Sequence, residues 1–168
     1  NGKAKRVKIR MRKYIDSNLC FLEIKEKKNS GMTNKTRCTI KDIEKVLTKK
    51  STDFIKKTTK KDLILKPILC NYFQRFTLVN TQRSERVTID SCLNYKTDDK
   101  TKLLKNIVVI EVKQEKQNTQ TPIYKALNSN KIRTSSFSKY CIGVANLFTD
   151  VKANRFKELN LKINKLTN

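Results

Sequence analysis

The chain has 168 residues, about the length of one domain, and only 37% of them are hydrophobic, which is enough for a modest core. Its 39 lysines and arginines against 15 acidic residues give a formal net charge of +24. A small domain with this charge needs a compensating anion, because its cations repel one another. The composition therefore predicts a polyanionic partner. It does not distinguish among DNA, RNA, an acidic membrane surface and phosphates, because each of them would compensate the charge.

The cysteines and the absence of histidine bear on which metal sites and which thiol oxidation state the chain can have. The five cysteines show no CxxC spacing and the sequence has no histidine, which argues against a zinc site and favours reduced thiols. No apolar run is long enough to cross a bilayer. We therefore expect a cytoplasmic protein, either free or tethered to a membrane by parts outside this chain.

The first predicted elements are two strands between Arg6 and Lys27, joined by the turn Asp16-Ser17-Asn18. Cations and apolar residues alternate in the first strand, so one face is charged and the other is apolar. The second strand alternates in the same way. A third strand is predicted at 35–39 and a short amphipathic helix over 40–49, whereas the lysine-rich segment 49–61 is predicted to be a solvated loop or helix edge.

The second half of the chain repeats the strand pattern before it becomes helical. Strands are predicted at 72–79, 86–95 and 107–113, with a charged connection over 96–105. In the middle strand we expect Arg86, Thr88 and Asp90 on one face, and Val87, Ile89 and Leu93 on the other. Helices are predicted to start near Thr121 and Ser136, and the segment 154–166 is predicted to be either a helix or a strand.

Arginine recurs on the charged faces of four predicted strands, and its planar guanidinium matches phosphate oxygens better than any other side chain. For a single strand, an ordinary solvated face is the simpler interpretation. Repetition over four strands favours an anion site, and strands closed into a barrel with this face inward would form a basic tunnel. Glu23 and Glu111 lie on the same faces. They are either salt-bridge partners or, beside bound phosphates, ligands of a divalent metal.

Several short motifs, in this order, resemble those of the VTC domain, the polyphosphate polymerase branch of the triphosphate tunnel metalloenzymes. They extend from Lys5 to about Val144. The motifs are Arg10-Met11-Arg12, Phe21-Leu22-Glu23-Ile24-Lys25, Lys35-Thr36-Arg37, Ile110-Glu111-Val112-Lys113 and Phe137-Ser138-Lys139-Tyr140-Cys141-Ile142-Gly143.

This resemblance implies an α+β fold, an antiparallel β-barrel that encloses the tunnel, with helices packed outside and the whole chain 1–168 as one domain. It implies ATP and inorganic polyphosphate as partners, Mn²⁺ or Mg²⁺ as cofactor, and transfer of the terminal phosphoryl group of ATP to a polyphosphate chain. Glu111 and Lys139 are the implied catalytic residues, and Glu111 and Glu23 the implied metal ligands. The implied phosphate-binding residues are Arg10, Arg12, Lys25, Lys35, Arg37, Arg75, Arg86 and Lys113.

The chain departs from the family pattern at two places. Ser136 stands where many members have a lysine, three positions before Lys139. Members also open with further strands and a helix, so we expect the present chain to lack its N-terminal segment, with flanking domains as a further possibility.

Three other functions remain open from the sequence. A triphosphate hydrolase of the same fold would use water as the acceptor, and a non-catalytic subunit would bind polyphosphate without turnover. A nucleic-acid-binding domain would satisfy the charge, but aromatic residues make up only 7% of the chain and are not interleaved with the cations. We therefore expect no nucleic-acid partner.

Overall fold

The computed structural model describes residues 6–82 and 84–167, and the chain divides into two compact units, Asn1–Pro67 and Ile68–Asn168. The predicted mixture of helices and antiparallel strands is confirmed in both. A single domain over the whole chain stays a prediction.

The first unit is built on a three-stranded antiparallel sheet. Its strands are β1 (Arg6–Tyr14), β2 (Leu19–Lys27) and β3 (Thr33–Ile40), with β2 in the centre. Alternation puts one face of β2 into a small core, where Leu22 and Ile24 are buried against Ile55 of helix α1 (Lys49–Thr59). The opposite face carries the charges.

Helix α1 lies where the sequence predicted a loop or helix edge, and the helix predicted over 40–49 is wrong. Thr48 caps the observed helix, since its hydroxyl accepts a hydrogen bond from the Ser51 amide at 3.3 Å. Glu44 accepts from the Thr48 amide at 2.9 Å and thereby holds the preceding segment in a non-helical form. Ile40, which gave the predicted helix its first apolar position, is instead buried at the end of β3.

The second unit contains a four-stranded antiparallel sheet followed by helices. Its central strand, β5 (Glu85–Lys96), pairs with β4 on one side and with both β6 and β7 on the other. The flanking strands are β4 (Cys70–Asn80), β6 (Thr101–Leu104) and β7 (Val109–Gln114). The helices are α2 (Pro122–Ser129), α3 (Lys139–Leu147), a 3₁₀ turn (Asn154–Phe156) and α4 (Lys157–Thr167).

The structure corrects one prediction for this unit and decides between two alternatives in another. The connection predicted over 96–105 contains strand β6, and the segment after 154, which the sequence left undecided, is helical. β6 has only four residues in a lysine-rich stretch, and it is held by its pairing with the end of β5 rather than by any pattern of its own.

A β-bulge in β5 changes which side chains share a face. The pairs Tyr72–Asn94 and Gln74–Ser91 leave two residues of β5, Cys92 and Leu93, opposite a single residue of β4. Cys92 adopts the left-handed conformation with φ of 53°. The extra residue puts Leu93 on the same face as Asp90, so the predicted placement of Leu93 on the opposite face is wrong.

The bulge joins the charged part of this face to the core of the unit. Beyond it, Leu93 and Tyr95 are buried together with Leu104, and Ile142 of α3 packs on them. Gly143 brings α3 close to the sheet, because a Cβ at this position would lie 2.5 Å from the Tyr95 ring. The first residue of α3, Lys139, is thereby placed beside the charged end of the face.

The strands pair into two open sheets within residues 6–82 and 84–167, and their pairings do not close into a barrel. The antiparallel sheets are confirmed, whereas the barrel and the tunnel stay predictions. In the part of the chain that the structure describes, none of the helices has the length and hydrophobicity to span a membrane. All five cysteines are free thiols.

Candidate functional site: two cationic sheet faces

One face of the first sheet carries mostly charged side chains, and we call it the β1–β3 charged face. The strand register aligns its residues in rows across the sheet. The three central rows are Lys8–Lys25–Lys35, Arg10–Glu23–Arg37 and Arg12–Phe21–Thr39. All five phosphate-binding residues predicted for this half of the chain, Arg10, Arg12, Lys25, Lys35 and Arg37, lie on this face.

Glu23 is the buried centre of the face, with a side chain only 2% exposed. The Arg10 Nε donates to Glu23 Oε2 at 2.8 Å, and Lys35 Nζ lies 2.9 Å from Oε1. Burial alone would raise the pKa of Glu23, but the hydrogen bonds from Lys35 and Arg10 outweigh it and lower the pKa to about 2. Glu23 is therefore a permanent anion that orients one arginine and one lysine.

Two further arginines of the face are ordered by aromatic rings. The Arg37 guanidinium lies 4.6 Å from the centre of the Phe21 ring. Arg12 lies 5.8 Å from the Tyr14 ring and donates to the Tyr14 hydroxyl at 3.1 Å, a hydrogen bond that lowers the pKa of Tyr14. These contacts order the arginines without neutralising them, so their charges remain available to an anion.

The row Lys8–Lys25–Lys35 places three like charges directly beside one another. Such neighbours destabilise a sheet unless an anion lies between or above them. Lys35 pairs with Glu23 of the next row, and an anion above the lysine row would relieve the repulsion among its three cations.

The second sheet has a charged face of its own, the β4–β7 charged face, formed by the strand ends on one side of the bulge. The strand register places Arg75 beside Asp90, Thr88 beside Glu111, and Arg86 beside Lys113. The predicted residues Arg75, Arg86, Glu111 and Lys113 are thus brought onto one surface, and Lys139 reaches the same surface from α3.

Asp90 is the buried centre of this second face, with a side chain only 1% exposed. It accepts two hydrogen bonds from Arg75, from Nε at 2.5 Å and from Nη2 at 2.7 Å, and a short one from Lys139 Nζ. Burial alone would raise the pKa of Asp90, but the hydrogen bonds from Arg75 and Lys139 outweigh it, so the pKa lies below its usual value. The ring of Phe73 lies against both cations.

Sequence reasoning did not assign Asp90 to the site, although it placed the residue on the correct face. The available signal was an aspartate in the middle of a strand, where this residue type is uncommon. Its importance depends on two partners that are 15 and 49 positions away in the chain, and the sequence gives no means of pairing them.

The carboxylates differ in their suitability for a metal ion. Glu23 uses both oxygens for Arg10 and Lys35. Glu111 is about half exposed and lies 3.4 Å from Lys113. The neighbouring Thr88 hydroxyl is buried and has no hydrogen-bond partner among the described residues. Over the same residues no three metal-binding side chains cluster together. Glu111 therefore fits a cation that takes most of its ligands from phosphate and water, whereas Glu23 does not.

The two faces define a basic α+β protein in which arginines and lysines on antiparallel sheets are ordered by buried carboxylates. Comparison with known families matches the VTC domain over residues 1–148, and the chain belongs to the VTC domain family. Membership relates the chain to polyphosphate and to phosphotransferase activity. No curated protein and no solved structure gives a significant match.

Proposed function

We propose that the protein is a polyphosphate polymerase, which transfers the terminal phosphoryl group of ATP to a growing inorganic polyphosphate chain. The observation that carries the proposal is the pair of cationic faces in a VTC domain, each with cations fixed around a buried carboxylate. Polyphosphate is a linear anion with one charge on each unit, so it requires rows of ordered cations. A single phosphate pocket would not need cations on six strands.

The β1–β3 charged face supplies the larger number of cations, and we assign it to binding of phosphate chains. Arg10 and Lys35 are oriented by Glu23, while Arg12 and Arg37 are oriented by rings. Pre-oriented arginines bind with a smaller loss of side-chain entropy than free ones. Lys25 adds charge in the lysine row.

The β4–β7 charged face carries the groups that we assign to phosphoryl transfer. Lys139 and Arg75 would stabilise the charge of the transferring phosphoryl group, and Arg86 and Lys113 would hold neighbouring phosphates. Glu111 is the carboxylate that would hold Mn²⁺ or Mg²⁺. Such an ion, when bound, neutralises phosphate charge and orients the phosphate oxygens. Positioning and neutralisation carry most of the catalysis in phosphoryl transfer, so the absence of histidine from the sequence is no obstacle.

The proposal is tested with the full-length protein, ATP labelled at the γ-phosphate and Mn²⁺, with polyphosphate and free phosphate resolved on one gel. A ladder of labelled chains is the expected result. Free phosphate alone would replace the polymerase by a triphosphate hydrolase. Tight binding of added polyphosphate without turnover would leave a binding subunit.

Two variants, each with a matched control, distinguish these functions. Glu111→Gln should abolish metal-dependent turnover while polyphosphate still binds, whereas Glu26→Gln, a change on the opposite face of β2, should leave both unchanged. Lys139→Met should lower turnover by at least about 100-fold, the size expected for loss of one transition-state cation. The exposed Lys57 on α1 is the control for this change, and Lys57→Met should have no comparable effect.

A further inference from the structure

We infer that Asp90 is a positioning residue: it holds Lys139 and Arg75 in the arrangement that receives phosphate, without touching the phosphate itself. The inference rests on the proposed function and adds to it a residue that the family motifs did not indicate.

The carboxylate connects two elements of the second unit. Arg75 is its direct neighbour on β4, whereas Lys139 comes from the first turn of α3. Asp90 is 1% exposed, but the side chains of Arg75 and Lys139 are 29% and 19% exposed. An anion from solvent can therefore approach the two cations but cannot reach the carboxylate that fixes them.

The position of Lys139 shows that this contact opposes other forces. A helix N-terminus carries partial positive charge, so a cation in the first turn is disfavoured. The lysine side chain also loses rotamer entropy when it is held in one place. Asp90 offsets both costs through an ion pair, and Phe73 adds a ring at 4.8 Å from Lys139 Nζ.

Positioning and net charge predict opposite results when the charge of Asp90 is removed. The cluster of Asp90, Arg75 and Lys139 has a formal charge of +1, and Asp90→Asn raises it to +2. If charge alone attracts the anion, this variant should bind tripolyphosphate more tightly. If Asp90 acts by holding the cations, the variant should bind more weakly, because the cations lose their common anchor.

The experiment measures tripolyphosphate affinity by calorimetry, together with kcat and KM for ATP, in the full-length protein. We expect Asp90→Asn to weaken binding about tenfold, equivalent to ~1.4 kcal/mol. In a Lys139→Met background, Asp90→Asn should weaken tripolyphosphate binding by no more than about threefold, because the effects of coupled residues are not additive. The loss that remains in this background acts through Arg75. Tighter binding, or an equal loss in both backgrounds, would overturn the inference.

Asp90→Glu covers the case in which Asp90→Asn does not fold, because it keeps the charge that compensates two partly buried cations. Its carboxylate lies one methylene farther out, so we expect a folded protein with affinity and kcat reduced several-fold. Wild-type affinity in this variant would also overturn the inference. If the wild-type protein neither binds tripolyphosphate nor turns over ATP, the proposed function itself fails. If the wild-type protein binds tripolyphosphate but the effects of the Asp90 and Lys139 substitutions are independent, only the inference about Asp90 fails.

Discussion

At the scale of single residues, Glu23 and Asp90 follow one arrangement: each is a buried acid that forms ion pairs with two cations of different elements. An isolated buried carboxylate would be protonated or destabilising. With two cationic partners it remains ionised, and the partners lose much of their freedom. Glu23 and Asp90 therefore serve to order the cations around them.

This arrangement makes the first unit sensitive to acid. The folded pKa of Glu23 is about 2 against 4.5 for the free side chain, so its stabilisation is complete above the unfolded value and is lost as the pH falls through the folded one. A shift of this size corresponds to about 3 kcal/mol. We expect urea stability to fall between about pH 5 and 2.

Glu23→Gln should lower the free energy of unfolding by about 3 kcal/mol at pH 7, because Arg10 and Lys35 lose their common anion. The pH dependence of the stability should become flatter. The measurement is the urea midpoint at a series of pH values. Glu26→Gln on the same strand is the control and should keep the wild-type profile; an unchanged profile in Glu23→Gln would contradict the assignment.

At the scale of elements, the bulge in β5 decides which residues share the functional face. It allows Asp90 and the core residues Leu93 and Tyr95 to lie on one side of the strand. Without the extra residue, the alternation of a regular strand would turn one of these groups to the other face. The charged site and its supporting core are therefore adjacent because of one irregular position.

Cys92 is a testable part of this bulge, since it is exposed and has φ of 53°, a conformation that costs most residues about 1–2 kcal/mol. Cys92→Gly should retain the fold and raise the stability by up to about 1 kcal/mol. Cys92→Val should lower it, because a β-branched side chain tolerates this conformation poorly. Chemical denaturation of both variants checks the difference, and equal effects would contradict it.

Gly143 tests the contact between α3 and the sheet. A Cβ there would lie 2.5 Å from Tyr95 and 2.6 Å from Leu69, both of which are side chains of the same unit. Gly143→Ala gains about 1 kcal/mol of helix propensity, but overpacking costs about 1–3 kcal/mol. We expect net destabilisation in thermal unfolding together with a loss of turnover, since Lys139 moves with the helix.

Ala145→Gly on the same helix is the matched control for this prediction. It lowers the stability of α3 by about 1 kcal/mol, because glycine has a lower helix propensity than alanine, and it introduces no clash. A stability equal to wild type in Gly143→Ala would show that α3 can move away from the sheet without cost.

At the scale of the whole molecule, the formal charge of +24 is the dominant feature. The 39 basic residues outnumber the 15 acidic residues, so most of the basic residues cannot each have a carboxylate of their own. Mutual repulsion therefore opposes the folded state at low ionic strength.

Salt should consequently stabilise the protein. Raising NaCl from roughly 20 to 500 mM shortens the screening length severalfold, and we expect the melting temperature to rise by several degrees. Under the proposed function, tripolyphosphate at matched ionic strength should raise the melting temperature further, because a ligand that binds only the folded form stabilises it. Differential scanning fluorimetry makes the comparison, and a melting temperature that falls with salt would show that surface ion pairs outweigh repulsion.

The sequence predicted the strands well because alternating charges leave a strong period-two signal, as in β1, where every second residue from Arg6 to Arg12 is basic. It failed where local pattern and long-range structure disagree. Ile40 completed an apparent helical pattern but belongs to β3. The Asp90 cluster depends on a bulge and on a contact across 49 positions, and neither has a local signature.

The lysine row of the first sheet has a consequence for how the protein acquires its structure. Lys8, Lys25 and Lys35 lie side by side only in the native register, and a slip of β3 by one residue would turn Lys35 to the other face. Under the proposed function, a chain of phosphates bound across the row would favour the native pairing over a shifted register. The polymer that this protein is proposed to make would then also act as a template for its folding.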